Sequence, residues 1–226
     1  MTARATSART ATAPGRALAR ASAACATAFA LLAVLVSSGW PALVRFDDHW
    51  SARAYGFTLS HHWCRVLAQA ATWMGATPTL TVLTSVVVLG CLLTHRLPLG
   101  VWLGVTVAGS ALLNSLVKLG MERIRPPTAG VLVSAHGFAF PSGHTQGATS
   151  TYTAVVLVVG WQVWRPGRRG RRVSAAAVTL LVAAVGFSRL LLGVHWPTDV
   201  LGGWLLGSTC VLAATSAYPP CRRALS

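Results

Sequence analysis

Residues 188–199 read SRLLLGVHWPTD and join two long apolar segments of the chain. Within this stretch stand a guanidinium at Arg189, an imidazole at His195 and a carboxylate at Asp199. An arginine can bind two anionic oxygens at once, and a histidine is a nucleophile or base near neutral pH. Because charged groups at membrane depth are costly, such a cluster between apolar segments indicates a functional site.

The spacing within this stretch predicts a catalytic pair. Pro197 favours a helix that begins at that residue. In such a helix the Asp199 carboxylate can fold back onto one imidazole nitrogen of His195, four positions earlier. That contact would fix the tautomer and leave the other nitrogen free to attack an electrophile.

The composition points to a membrane protein. The chain has 226 residues, of which 54% are hydrophobic and only 10% charged, too apolar for an ordinary soluble domain. Its formal net charge of +15 could indicate nucleic-acid binding. However, the arginines occur in short bursts between apolar runs, so we expect no nucleic-acid partner. The five cysteines form no C-x-x-C pair, and we expect no disulfide, structural metal or cofactor.

The distribution of charge predicts an all-α, polytopic membrane protein with six transmembrane helices. Residues 1–20 would be a disordered basic tail, 21–217 the membrane domain and 218–226 a short second tail. A cleaved signal peptide is the rival interpretation of the first apolar segment. The predicted spans are residues 21–40, the part of 66–94 that follows Pro78, 97–117, 145–164, 173–187 and 200–217.

Six spans would put both termini on one side of the cell membrane. Twelve basic residues fall on that side and seven on the other, so we expect cytoplasmic termini. The loops 118–143 and 188–199 would then share the extracytoplasmic face. The loop 41–65 contains His49, His61 and His62, which we interpret as interfacial polar residues rather than metal ligands. The sequence does not define the role of residues 41–78.

The loop 118–143 opens and closes with groups suited to an anion. Lys118 and Arg125 are two helical turns apart and can point the same way. Ser142 and Gly143 stand where a helix N-terminus would expose unpaired N–H groups, with His144 beside them. Taken singly, interfacial cations and a helix cap explain these motifs equally well.

Taken together, the motifs Lys-x6-Arg-Pro, Pro-Ser-Gly-His and Ser-Arg-x5-His-x3-Asp over residues 118–199 resemble the type 2 phosphatidic acid phosphatase (PAP2) superfamily. The resemblance implies a six-helix bundle and a metal-independent membrane phosphatase. It implies that His195 attacks phosphorus to give a phosphohistidine, that His144 is the general acid and then the base, and that Asp199 orients His195. The phosphate would be bound by Lys118, Arg125, Ser142, Gly143 and Arg189.

The scarcity of acids agrees with the absence of a metal. Two-metal phosphatases need several carboxylates, and only Glu122 and Asp199 fall near the motifs. We expect Glu122 to be a local ion-pair partner of Arg123 or Arg125.

The expected substrate is a lipid phosphomonoester or pyrophosphate, because the site would lie at the membrane surface. A polyprenyl pyrophosphate, phosphatidic acid and phosphatidylglycerophosphate all remain open. Two other functions also remain open: phosphoryl or headgroup transfer to an alcohol, and a non-catalytic anion-binding membrane protein. A haloperoxidase with the same phosphate site is disfavoured by the six spans and the short chain. The sequence leaves the oligomeric state undefined.

Overall fold

The computed structural model describes residues 13–163 and 166–218, and every regular element in that part is helical. The prediction of an all-α fold is therefore confirmed. The helices are α1 Ala13–Ser37, α2 Pro41–Ser60, α3 His62–Met74, α4 Thr77–Leu93, α5 Leu97–Met121, α6 Gly143–Val155, α7 Arg168–Leu191 and α8 Pro197–Ala217. A π-helical segment, Val156–Val163, continues α6.

Several helices begin where a proline occupies the first turn. Pro41, Pro78, Pro98 and Pro197 stand at the starts of α2, α4, α5 and α8. Proline is suited to this position because its missing N–H would have no partner there and its φ is already helical. The predicted division of 66–94 near Pro78 is thus observed, with α3 ending at Met74.

Two boundaries differ from the prediction. Helix α1 begins at Ala13, so residues 13–20 are helical and are not part of a disordered tail. The segment 41–65, predicted as a loop, forms α2 and the start of α3. The remaining parts of the two predicted tails, residues 1–12 and 219–226, lie outside the described residues, as does the end of the predicted span 145–164.

The protein is a multi-pass membrane protein by the length and hydropathy of its helices. Four helices qualify as spans: α1 from Gly15 onward, α5, α7 and α8. Helices α3 and α4 meet at a bend of 43° and together would provide a fifth. A count of six stays a prediction. The predicted span that does not qualify by length and hydropathy is the one that contains α6. This helix is rich in Thr, Ser and Gly, and most of its residues are buried against other helices.

Helices α6 and α8 pack backbone against backbone. A Cβ added to Gly203 would lie 2.8 Å from the Ser142 carbonyl oxygen, and one added to Gly207 would lie 2.8 Å from the Gln146 carbonyl oxygen. The N-termini of the two helices are joined directly, because the Ser142 N–H donates to the Asp199 carbonyl at 2.9 Å. This packing brings the Pro-Ser-Gly-His motif beside the His-Asp pair.

Candidate active site

A cavity of about 490 Å³ lies where the C-terminal ends of α5 and α7 meet the N-terminal ends of α6 and α8. Six of the eight predicted site residues line it: Lys118, Arg125, Gly143, His144, Arg189 and His195. The other two, Ser142 and Asp199, lie directly behind this wall and are fully buried. A larger groove of about 770 Å³ beside α5 and α8 has no charged residue in its described lining. The ionisable side chains of the predicted site therefore line the smaller cavity.

His195 and Asp199 form the predicted pair. The imidazole Nδ1 lies 3.2 Å from Asp199 Oδ2, which also accepts the Trp196 N–H at 2.9 Å. On the other side of the ring, Nε2 lies 3.1 Å from a terminal nitrogen of Arg125. An acceptor at Nδ1 and a donor at Nε2 favour the tautomer with its proton on Nδ1. In that tautomer the Nε2 lone pair faces the cations.

The environment of His195 keeps its imidazole neutral. The side chain is only 1% exposed, and burial together with the nearby Arg189, Arg125 and Lys118 lowers its pKa well below the usual range. Asp199 would act in the opposite direction, but Arg123 also binds its carboxylate at 2.6 Å and offsets much of its charge. A neutral imidazole is the nucleophilic form.

Backbone carbonyls of the α5–α6 and α7–α8 loops hold two of the cations in place. Arg125 donates to the carbonyls of His136, Gly137 and Val194 at 2.8–2.9 Å. Lys118 Nζ donates to the Phe138 carbonyl at 2.6 Å. Neither cation has a carboxylate among its hydrogen-bond partners in the described part of the chain, so the positive charge remains available to an anion. Burial lowers the pKa of the Arg125 guanidinium.

Arg189 is almost fully buried at the end of α7. Its guanidinium donates to the Thr72 hydroxyl of α3, and its Nε has no hydrogen-bond partner among the described residues. A buried N–H donor without a partner is costly. An anionic oxygen in the cavity would satisfy it.

At the N-terminus of α6 the structure differs from the expectation for the Ser142 backbone amide. Its amide donates to Asp199, and its hydroxyl accepts from Thr145 at 3.0 Å, so the Ser142 amide is occupied within the protein. Gly143 is the residue of this pair that lines the cavity, and His144 follows it in the first turn of α6. The physical reason is the close α6–α8 packing, which covers Ser142.

Sequence reasoning missed Arg123 and Asp47. One terminal nitrogen of Arg123 binds Asp199 Oδ1 and the other binds Asp47 Oδ2, both at 2.6 Å. The expectation that Glu122 pairs with Arg123 or Arg125 is wrong for the described residues. Glu122 is exposed and caps the C-terminal end of α5 in a left-handed conformation, with φ of +45°. Arg123 instead binds Asp199 and Asp47, and Arg125 binds backbone carbonyls. The sequence held one signal for this network. The chain has only four acids, and an acid that is buried in a fold is seldom left without a cation.

Metal-ligand geometry is not found in the part of the chain that the structure covers. Among residues 13–163 and 166–218, no three His, Cys, Asp or Glu side chains gather closely enough to share a metal ion.

The fold and the site together define a class: a helical, multi-pass membrane protein with a cation-lined histidine-carboxylate site. The PAP2 superfamily model matches residues 99–223, and the chain belongs to this superfamily. The sequence-based resemblance is thereby confirmed.

Curated relatives agree with this assignment. The chain is 32% identical over 145 residues to phosphatidylglycerophosphatase B of Bacillus subtilis (strain 168), covering 64% of this chain and 70% of the relative. It is 28% identical over 115 residues to undecaprenyl-diphosphatase of Sulfolobus acidocaldarius, covering 49% and 50%. It is 35% identical over 97 residues to decaprenylphosphoryl-5-phosphoribose phosphatase of Mycobacterium tuberculosis, covering 42% and 47%.

A solved structure shows the same fold. The crystal structure of the first transmembrane PAP2 type phosphatidylglycerolphosphate phosphatase from Bacillus subtilis matches with a TM-score of 0.77 and 26% identity. The match covers 86% of this chain and 94% of that one. The predicted enzyme class, a PAP2-type hydrolase of phosphate esters, is confirmed by the family and these relatives.

Proposed function

We propose that the protein is a membrane lipid phosphatase that works through a phosphohistidine at His195 and needs no metal ion. One observation carries the proposal: the Asp199-bound imidazole of His195 lines the same cavity as Lys118, Arg125 and Arg189, with its Nε2 3.1 Å from Arg125. A nucleophile and three cations in one cavity at the end of a membrane bundle suit a phosphoryl group on a lipid.

The first chemical step transfers the phosphoryl group to the enzyme. The Nε2 lone pair of His195 attacks phosphorus, the P–N bond forms and the P–O bond to the lipid breaks. His144, protonated beside the bound anion, gives its proton to the leaving oxygen. Lys118, Arg125 and Arg189 offset the charge that develops on the phosphoryl oxygens. The Nδ1 proton stays on the ring and is donated in a hydrogen bond to Asp199, whose carboxylate stabilises the cationic ring.

The second step releases phosphate. His144, now neutral, takes a proton from water as the water oxygen attacks phosphorus. The P–N bond breaks, its electron pair returns to Nε2, and inorganic phosphate leaves. An alcohol in place of water would give the transferase reaction, which is the alternative that the same site permits.

The state of the carboxylates supports metal independence. Asp47 and Asp199 are both bound by Arg123, and Glu122 is exposed. The two buried acids near the site thus share Arg123 as their cationic partner, and a two-metal centre would need further carboxylates.

The residues that line the cavity indicate which leaving group it suits. Its lining on α5 and α6 includes Val107 and Ala111 together with five polar side chains: Asn114, Ser115, Gln146, Ser150 and Thr151. The relatives are named for lipids whose phosphate is attached to a glycerol, a second phosphate or a ribose. We infer that this enzyme also prefers a leaving group with polar atoms next to the cleaved bond, over a phosphate attached directly to a hydrocarbon chain.

The decisive experiment measures phosphate release in detergent with EDTA present. The panel contains phosphatidylglycerophosphate, undecaprenyl diphosphate, phosphatidic acid and a polyprenyl monophosphate. We expect turnover that EDTA does not affect, that vanadate inhibits and that His195→Ala and His144→Ala abolish. His49→Ala, which changes an exposed histidine on α2, is the matched control and should retain activity.

Each failure has a separate meaning. Loss of activity with EDTA would reject the metal-free mechanism, and normal turnover by His195→Ala would reject the phosphohistidine. A wild type that releases phosphate from none of the lipids would reject the function. Alkyl phosphate formed when an alcohol is added would favour the transferase.

A further inference from the structure

Helix α2 lies outside the three motifs, yet its buried face is polar. Its buried residues are Asp47, Ser51 and Thr58, whereas Phe46 and Trp50 are about half exposed. The polar face therefore contacts the protein and the aromatic face points away from it, as suits a helix at the membrane interface. One of these buried residues, Asp47, reaches the start of α8.

Asp47 binds the first turn of α8. Its Oδ1 accepts the backbone N–H of Thr198 at 3.1 Å, and its Oδ2 accepts the Thr198 hydroxyl at 2.5 Å. The side chain is 1% exposed. A carboxylate at a helix N-terminus satisfies an unpaired N–H and interacts favourably with the helix dipole. Asp47 thus caps α8 from another helix.

Arg123 connects this cap to the catalytic pair. Its two terminal nitrogens bind Asp47 Oδ2 and Asp199 Oδ1, each at 2.6 Å. The second oxygen of Asp199 faces His195 Nδ1. Because the guanidinium is planar and rigid, it fixes the two carboxylates relative to one another. The Trp196 ring, with its centroid 5.7 Å from the guanidinium carbon, covers one side of Arg123.

We propose that Asp47 is a positioning residue, which acts through Arg123 to orient Asp199 and so set the reactivity of His195. Asp47 touches neither the cavity wall nor the three phosphate-binding cations, so its effect is on the chemical step rather than on binding. Without Asp47, Arg123 has Asp199 as its remaining carboxylate and draws it away from the imidazole. The proposal rests on the proposed phosphatase mechanism for its kinetic readout.

The test compares Asp47→Asn with Asp48→Asn in the full chain in detergent. Asp48 is the exposed neighbour on the same helix and serves as the matched control. We expect Asp47→Asn to lower kcat about 10- to 100-fold with KM nearly unchanged, the range typical of residues that orient an imidazole. Asp47→Glu should recover part of kcat, because the carboxylate is kept.

The pH dependence separates positioning from simple destabilisation. A weaker Asp199–His195 contact disfavours the imidazolium. The acid limb of the pH profile of vanadate binding, where affinity falls at low pH, should therefore move to lower pH in Asp47→Asn. It should stay in place in Asp48→Asn. Vanadate binding needs no lipid substrate, so this readout remains informative if the phosphatase assay fails. In kinetics, Asp47→Asn and Arg123→Gln should be non-additive, because both break one network.

The proposal is overturned if Asp47→Asn matches Asp48→Asn in kcat and in the acid limb. It is also overturned if Asp47→Asn lowers thermal stability and active fraction while kcat per active site and the acid limb are unchanged. The latter result would make Asp47 a cap of α8 alone.

Discussion

Three arginines near the cavity differ in their partners, and this difference separates their roles. Arg123 is held between two carboxylates, so most of its charge is offset within the protein. Arg125 donates to backbone carbonyls, and Arg189 donates to a hydroxyl. Carbonyl and hydroxyl oxygens orient a guanidinium without cancelling its charge. Arg125 and Arg189 are therefore suited to an anion, and Arg123 to holding Asp199.

The partners of Arg125 lead to a prediction for Arg125→Lys. An ammonium group cannot donate to three separated carbonyls and also reach a phosphoryl oxygen, because it lacks the guanidinium fork. We expect kcat/KM to fall roughly 100-fold or more, as for the loss of a donor to a developing oxyanion. Phosphate release measured alongside Arg53→Lys, a change on the surface of α2, provides the comparison. Similar kcat/KM values in the two variants would contradict the role of Arg125.

The lowered pKa of His195 predicts an imidazole that stays neutral in mildly acidic solution. For a histidine with a lowered pKa, protonation requires a pH below the ordinary value of about 6.5. At pH 6 we therefore expect the His195 signal in the NMR spectrum of histidine-labelled protein to be that of a neutral ring. The signal is assigned by its loss in His195→Gln. A shift midpoint at or above pH 6.5 would disprove this expectation.

Asn114 predicts a conflict between stability and activity. It is 5% exposed, and its Nδ2 has no hydrogen-bond partner within the described ranges. A buried amide without a partner costs about 1–3 kcal/mol, so the fold gains nothing from it. Its Oδ1 lies 3.5 Å from where a Cβ of Gly143 would stand, beside the proposed phosphate site.

We expect Asn114→Leu, which keeps the branching and the number of heavy atoms of the side chain, to keep or raise Tm in detergent and to lower kcat/KM about tenfold or more. Thr179→Val on α7 is the matched control, since Thr179 lies outside this cavity and its hydroxyl already donates to the Ala175 carbonyl in its own helix. A loss of Tm with unchanged kcat/KM would show that the amide serves the fold instead.

At the scale of helices, the α6–α8 contact aligns the two halves of the site. Gly203 has no room for a side chain, because a Cβ there would lie 2.8 Å from the Ser142 carbonyl oxygen and 3.1 Å from the Gln146 nitrogen. These are backbone atoms of α6 and cannot rotate away. Since α6 carries His144 and α8 begins just after His195, a displacement would separate the two proposed catalytic histidines.

Gly203→Ala should therefore lower stability by about 1–3 kcal/mol and reduce turnover by more than the unfolded fraction explains. Gly109→Ala on α5, where an added Cβ meets nothing within 4 Å, is the control. Thermal unfolding and phosphate release in the same detergent measure both effects. Equal behaviour of the two variants would show that the contact is not constraining.

At the scale of the whole molecule, the helix directions place the loops 118–143 and 188–199 at one end. Helices α5 and α7 end at the cavity, and α6 and α8 begin there. Arg96 precedes α5, and the basic residues 168–172 open α7, so these cations lie at the opposite end. The separation agrees with the expectation that the basic end is cytoplasmic.

This arrangement predicts that a reporter fused after Ser226 reads cytoplasmic. Helix α8 begins at the cavity, so its C-terminal end at Ala217 lies on the basic side. A fluorescent protein at that position should be bright, and alkaline phosphatase fused there should be inactive. The reverse pattern would invert the orientation and put the cavity on the cytoplasmic face.

The sequence by itself determined the features that depend on near neighbours. Proline in the first turn predicts where helices begin, long uncharged runs predict apolar helices, and a spacing of four predicts the His195–Asp199 contact. These rules act over one or two turns of helix, and they hold regardless of how the helices pack. The motif cations were recognisable for the same reason, since Lys118 and Arg125 flank the end of α5.

Only the tertiary structure decided which distant groups meet. Arg123 contacts Asp47 across 76 residues, and Arg189 contacts Thr72 across 117. The packing of α6 on α8 occupies the Ser142 amide. No local rule predicts such contacts, because a buried charge takes whichever partner the helix packing brings near, and the sequence offered Glu122 next to Arg123 as the simpler choice.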